Sequence, residues 1–225
     1  MDIFTKPADF AAFLKLLEEA RRRFPGVRIL AYCLMNNHWH LVLWPTRGGD
    51  LSRFIGWLCS THVRRWRAHR ESVGQGHLYQ GRFKSFIVQR DEHLLTLLRY
   101  VEANPLRAAI VRRAEDWLWS SFGTGVGADG VRVQLHPWPI ERPRNWSAIV
   151  NAQLDDVVLK GIRTSITRSR PFGDEKWTQR IANRFGLEST LRNPWRPHGS
   201  NRSSNMRATS ARRRARIDPS TKRAQ

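Results

Sequence analysis

Three kinds of side chain in this sequence can be combined into phosphodiester chemistry: the imidazoles of His38 and His40, the phenol of Tyr100 and the amide of Asn104. Side chains alternate faces along a strand. His38 and His40 therefore point the same way, with Val42 and Trp44 below them, while Trp39, Leu41 and Leu43 point into a core. Two imidazoles on residues about 7 Å apart on one rigid face can grip a single divalent cation. Such a cation polarises a phosphate oxygen and stabilises the charge that builds up during displacement at phosphorus. A third oxygen or amide ligand would complete the set, supplied by Asn104 or another polar side chain of its helix. A phenol, with an ordinary pKa of about 10, is a poor nucleophile until a cation or base activates it. Tyr100, one helical turn before Asn104, is the candidate. Attack by its oxygen on a phosphodiester would leave a covalent phosphotyrosine and a free 3′-hydroxyl, and the retained bond energy permits re-ligation. Plainer readings exist for each residue. A His-x-His pair also occurs in ordinary hairpins, Tyr100 can rim a core, and Asn104 can cap a new turn starting at Pro105.

The elements that must bring these groups together are readable from periodicity. Residues 27–35 read as a buried strand, Asn36-Asn37 as a tight turn, and residues 38–44 as the returning strand. Ahead of this hairpin, Phe10, Phe13, Leu14 and Leu17 predict an amphipathic helix over 7–24, with Pro7 in its first turn and Arg21–Arg23 in its last. A second helix is predicted from Leu51 to His69, capped by Asp50, with Leu51, Phe54, Ile55 and Leu58 inward. His62 continues that apolar row and reads as a packed core histidine. The remaining surface carries Arg53, Arg64, Arg65, Arg67 and Arg70, which either solvate the helix or meet phosphates. Gly74, Gly76 and Gly81 mark a loop, and the β-rich run Phe83–Gln89 predicts a strand. Arg82 and Lys84 at its start are phosphate contacts or edge charge.

Asp91 caps the helix that carries the phenol, with Leu94, Leu97, Leu98 and Val101 buried. At 100° per residue, His93, Tyr100 and Asn104 share one strip on the border of that stripe. Pro105 stops or kinks the helix, with a new turn through Leu106–Val111. Residues 117–122 close a first domain. Beyond a Gly-rich linker, two further helices are predicted: 155–167, with Val158, Ile162 and Ile166 inward, and 174–185, with Trp177, Ile181, Ala182 and Phe185 inward.

Composition narrows the partner. Lys and Arg number 39 against 19 Asp and Glu, a net charge of +20 and a pI near 11.5, which points to nucleic acid. Nine Lys or Arg against Asp218 alone give residues 196–225 a charge of +8, leaving +12 for residues 1–195. That last stretch is almost free of apolar residues and reads as a disordered tail. Cys33 and Cys59 make no disulfide framework and no Cys-based zinc site. No apolar run is long enough to span a membrane and no signal peptide opens the chain, so a cytoplasmic protein is expected.

His38-Trp39-His40 is similar to the His-hydrophobic-His motif of HUH endonucleases. The run from Ala31 to Pro45 resembles the single-tyrosine HUH transposases of insertion sequences, in the branch of REP-associated tyrosine transposases. The likeness continues through Gly76–Phe86, Asp91–Leu95, Arg99–Ala108 and Trp117–Ser121, in order, and so covers about residues 4–122. It implies an α+β fold with a ferredoxin-like antiparallel sheet and helices on one face (residues 1–122). A linker (123–135), a mostly helical C-terminal extension (136–195) and the basic tail (196–225) complete the expected organisation.

It also implies Mg²⁺ or Mn²⁺ as cofactor and single-stranded or hairpin DNA as partner, cut and rejoined through a 5′-phosphotyrosine. It allows a homodimer and a nucleoid-associated place in the cytoplasm. Carried over by position, His38 and His40 fall on the metal ligands, Tyr100 on the nucleophile and Asn104 on the polar residue one turn beyond. Arg53, Arg64, Arg65, Arg82, Lys84, Arg99 and Arg107 are assigned to the DNA. Members of this family begin with an extra strand and a basic loop, whereas here Met1 arrives almost at the first helix. The sheet is therefore expected to lack a strand and to expose an edge beside the metal-bearing strands. A non-catalytic nucleic-acid-binding protein of the same fold is the alternative, and a rolling-circle replication initiator a third option.

Overall fold

The structure is a computed structural model that describes residues 2–70, 77–79, 81, 83–124 and 132–192. Arg82 and the basic tail 196–225, both singled out in the sequence, lie outside the described residues. The first helix, α1, spans Pro7–Arg23. It is followed by the hairpin β1 (Val27–Met35) and β2 (His38–Pro45), then α2 (Asp50–His69). Helix α3 (Glu92–Glu102) runs into the single turn α4 (Asn104–Arg107). The remaining helices are α5 (Trp146–Asn151), α6 (Asp156–Arg168) and α7 (Glu175–Phe185).

The hairpin register decides what each face carries. Met35 pairs with His38, Cys33 with His40, Ala31 with Val42 and Arg28 with Trp44. A bulge between Ile29 and Ala31 breaks the alternation, so that Leu30 and Ala31 both enter the same core. On one face, Ile29, Tyr32 and Leu34 pack with Phe13 and Leu17 of α1 and with Phe54 and Leu58 of α2. On the other, Ala31, Cys33, Met35 and Val42 pack with Leu94, Leu98 and Val101 of α3. The mixed α+β class holds, with one detail corrected: helices cover both faces of the sheet rather than one. The reason is hydrophobic, since every residue of β1 but Arg28 is buried and the strand must be covered on each side.

The outer edge of β1 is also covered. Leu34 N donates to Trp119 O (2.9 Å), Ser121 N to Tyr32 O (2.8 Å) and His136 N to Ile29 O (2.8 Å). Residues 117–122 thus lie along β1, with Cys33 and Ser120 bridged antiparallel. The other side differs: among the described residues β2 takes no second strand. Residues 1–191 form one compact unit, in which Trp146, Val150, Leu154 and Ile162 share the core of α3.

Four local expectations change. The run Phe83–Gln89 builds no ladder. It is extended, and Gln89 N donates to Phe172 O while Phe172 N donates to Ile87 O, a pairing with a distant segment that local composition cannot announce. The cap of α2 is Gly49 at φ 81°, with Asp50 the first helical residue. Helix α4 starts at Asn104 itself, with Ala103 as its cap. Phe185, expected inward, is exposed, because α7 ends there at Gly186 (φ 65°) before its next turn could bury it.

His62 is the core histidine its spacing implied. It is buried between Phe4 and Phe13, and its Nδ1 is hydrogen-bonded to Tyr79 Oη at 2.5 Å. Burial holds its pKa down to about 4.

Candidate active site

Period-two alternation on β2 brings the His38 and His40 side chains to the α3 side of the sheet. Their Nε2 atoms face each other across 3.1 Å, with the ring planes nearly perpendicular. The two-residue turn supplies the orientation: His38 Nδ1–H donates to Asn37 Oδ1 at 2.6 Å, which leaves the Nε2 lone pair free to point at its neighbour. Burial pushes the His40 pKa down to about 3, aided by the nearby His38 and the Arg107 guanidinium. Desolvation lowers His38 as well. Both rings are therefore neutral at neutral pH, the state a metal ligand needs. Two converging imidazole nitrogens fit a divalent cation, and these residues would hold it.

Tyr100 comes to this face because α3 buries its Leu94–Leu98–Val101 stripe against β1. The Tyr100 ring stands edge-on to the His40 ring, 5.9 Å between centroids, and is buried. Above it lies Arg107, its guanidinium carbon 4.1 Å from the ring centroid. Asn104, a turn further on, is committed to the end of the helix. Its Nδ2 donates to the carbonyls of Tyr100 (3.1 Å) and Val101 (3.3 Å), and its Oδ1 accepts from Arg107 Nη2 (2.8 Å). One lone pair of that oxygen is left over. The structure thus brings together His38, His40, Tyr100, Asn104 and Arg107.

It separates the other basic residues from them. Helix α2 packs on the opposite face of the sheet, so Arg53, Arg64 and Arg65 stand on the far side from Tyr100. Arg53 pairs with Asp50, Arg65 with Glu19, and Arg64 leans on Thr61. Lys84 is exposed in the extended segment before α3. Arg99 donates to the carbonyls of Ala152 (2.9 Å) and Gln153 (3.0 Å), tying α3 to the chain after α5.

Two groups escaped the sequence reading. Trp44, on the imidazole face, carries Arg28 at 4.6 Å over its ring, Arg90 at 5.9 Å, and His136 edge-on. Only Trp44 was placed from alternation; the cross-strand partner Arg28 depends on a register set by the bulge. At the start of α3, donor atoms of Asp91, Glu92 and His93 lie within 4.8 Å of one another. There Asp91 Oδ1 already accepts from both the backbone N–H and Nδ1 of His93, which is its work as helix cap.

A neutral imidazole pair thus lies beneath a tyrosine-bearing helix in a strongly basic chain. The family model described as "Transposase IS200 like" matches residues 2–104. The chain is similar to a "Putative REP-associated tyrosine transposase" of Haemophilus influenzae, 25% identical over 108 residues. That match covers 44% of this chain and 61% of the relative, so less than two thirds of the relative's length is spanned. No solved structure matches the chain. Among the described residues, no helix is long and apolar enough to cross a membrane.

Proposed function

We propose that this chain cuts and rejoins single-stranded DNA, with Tyr100 as the nucleophile. The observation that carries the reading is the shared face, the Tyr100 ring against the His40 ring at 5.9 Å. His38 and His40 would hold Mg²⁺ or Mn²⁺, with Asn104 Oδ1 completing the set, and the ion would supply Lewis-acid stabilisation of a phosphate oxygen. The phenolic oxygen attacks the phosphorus, the bond between phosphorus and the 3′ oxygen breaks, the phenol gives its proton to solvent and the leaving 3′ oxygen takes one from solvent. The products are a 5′-phosphotyrosine and a 3′-hydroxyl, and the reverse step rejoins the ends. Arg107 sets a fixed positive charge over the attacking ring and holds Asn104 in register. Trp44 with Arg28 and Arg90 gives an unpaired base a stacking surface and its phosphates two cations on the same face.

The burial of Tyr100 favours a second reading, in which the protein binds hairpin DNA without cleaving it. One experiment separates the two. Hairpin oligonucleotides from the DNA flanking the coding sequence are incubated with the full chain and Mn²⁺ or Mg²⁺, and covalent adducts are resolved on denaturing gels. The first reading expects an adduct that Tyr100→Phe abolishes while binding persists. Binding with no adduct in the parent chain sinks it in favour of the second.

A further inference from the structure

Helix α7 buries one narrow side, Thr178 and Ala182, with Trp177 and Ile181 half-buried beside them. Its opposite side is exposed. Lys176, Gln179, Arg180 and Asn183 fall at i, i+3, i+4 and i+7, one strip down the helix, with Arg184 flanking it. Glu175 joins the four in lining a shallow hollow along that strip.

Charge pairing separates this strip from the basic faces of α1 and α2. There five arginines are tied to acids, Arg21 and Arg22 to Glu18, Arg53 to Asp50, Arg65 to Glu19 and Arg70 to Asp9, while Arg64 bonds Thr61. Among the described residues, no carboxylate pairs with Lys176 or Arg180. Two cations outside any ion pair, with Glu175 the one carboxylate lining the same hollow, leave the strip net positive and complementary to a polyanion.

The uncharged members of the strip are equally selective. The major groove of duplex DNA admits an α-helix, and Arg, Gln and Asn carry the paired donors and acceptors that match guanine and adenine edges there. Gln179 Nε2 donates to Asn183 Oδ1 at 2.8 Å, so the two amides are already aligned along the helix. Asp174 caps α7 at its first turn, and residues 169–174 link it to α6 through Phe172, which is bridged to Val88.

We infer that α7 reads duplex DNA: it lies in the major groove with Gln179, Arg180 and Asn183 toward base edges, and Lys176 and Arg184 toward phosphates. This goes beyond the transfer chemistry and does not depend on it. The test uses the full-length Tyr100→Phe chain, so that cleavage plays no part. Double-stranded DNA oligonucleotides randomised at their centre are selected by binding, and the recovered duplex is then compared with its separated strands and with an RNA duplex of the same sequence.

An enriched sequence is expected, bound better as DNA duplex than in either other form. Arg180→Ala should weaken binding about tenfold or more and relax the preference at a guanine. Substituting 7-deazaguanine at that base should have the same effect on the unmodified helix. Arg180→Lys, which keeps the charge and the exposed position, should lose the preference while keeping most of the affinity. Lys176→Ala should weaken every sequence alike. No enrichment, an RNA duplex bound equally well, or an Arg180→Lys chain with unchanged preference would each overturn the inference.

Discussion

Glu18 offers a test of how the segment that covers β1 is attached. It is a buried carboxylate on α1 whose oxygens accept from Arg21 Nε and Nη2 (both 2.8 Å), from Arg22 Nε (3.0 Å) and from Gln134 N (3.1 Å). Arg21 is the largest influence on it. Against the opposing cost of burial, these partners hold the carboxyl down to about 2, from an ordinary 4.5. A depressed carboxylate contributes stability that is fully present above its unfolded pKa and is lost as pH falls through its folded one. Here the window runs from about pH 5 down to about pH 2, and the difference corresponds to roughly 2–3 kcal/mol at neutral pH. Glu18→Gln removes the charge at every pH. Urea unfolding followed by tryptophan fluorescence should therefore show the variant less stable by that amount at pH 7, with the gap to the parent closing as the buffer is taken toward pH 3. His62 and His40, held neutral by burial, also destabilise the fold in acid, but they act equally in both chains and cancel in the comparison. A gap that stayed constant from pH 7 to pH 3 would refute the reasoning, because it would mean that the ionised form gains nothing from the arginines and the Gln134 amide.

Two further outcomes concern the site. Arg107→Lys keeps a positive charge but loses the planar contact with Tyr100 and the bond to Asn104. Adduct formation should slow about 10- to 100-fold while the thermal midpoint falls by only a few degrees; an unchanged rate would remove Arg107 from the chemistry. Mn²⁺ at a hundredfold excess over its dissociation constant should stabilise the parent chain by about 2.7 kcal/mol against urea, and His38→Ala and His40→Ala should abolish that gain. A gain that survives both substitutions would place the ion elsewhere, with Asp91, Glu92 and His93 the first site to examine.

The legible parts of the fold were those governed by one local rule. Alternation fixed the hairpin and sent His38, His40 and Trp44 to one side, and helical period fixed α1, α2 and α3 to within a residue or two. Asp91 and Asp174 cap their helices as short acidic side chains before an amphipathic run should. Pairings between distant segments were not legible. Nothing near Phe83–Gln89 indicates that its partner is Phe172, and nothing in Trp117–Phe122 says that it lies along β1. The same divide runs through the candidate site. The imidazole pair and the strip holding Tyr100 and Asn104 follow from spacing. The Arg107 contact with both required knowing that the chain stays helical through Ala103 into α4, and the role of Arg99 required the position of residues 152 and 153.

The backbone oxygen of Asn36 receives N–H bonds from both Ile3 (2.8 Å) and Phe4 (2.9 Å), and Phe4 is wedged among Phe10, Phe13 and His62. The turn that leads into the imidazole-bearing strand is thus moored to aromatic rings on the opposite side of the sheet. A substitution that loosens those rings need not touch the ligands to disturb them: slack at Phe4 is delivered through two amides to the root of the His38 side chain. Variants of Phe10 or Phe13 that leave the protein folded would accordingly register as weakened ion affinity, a remote adjustment of the chemistry made from within the apolar interior.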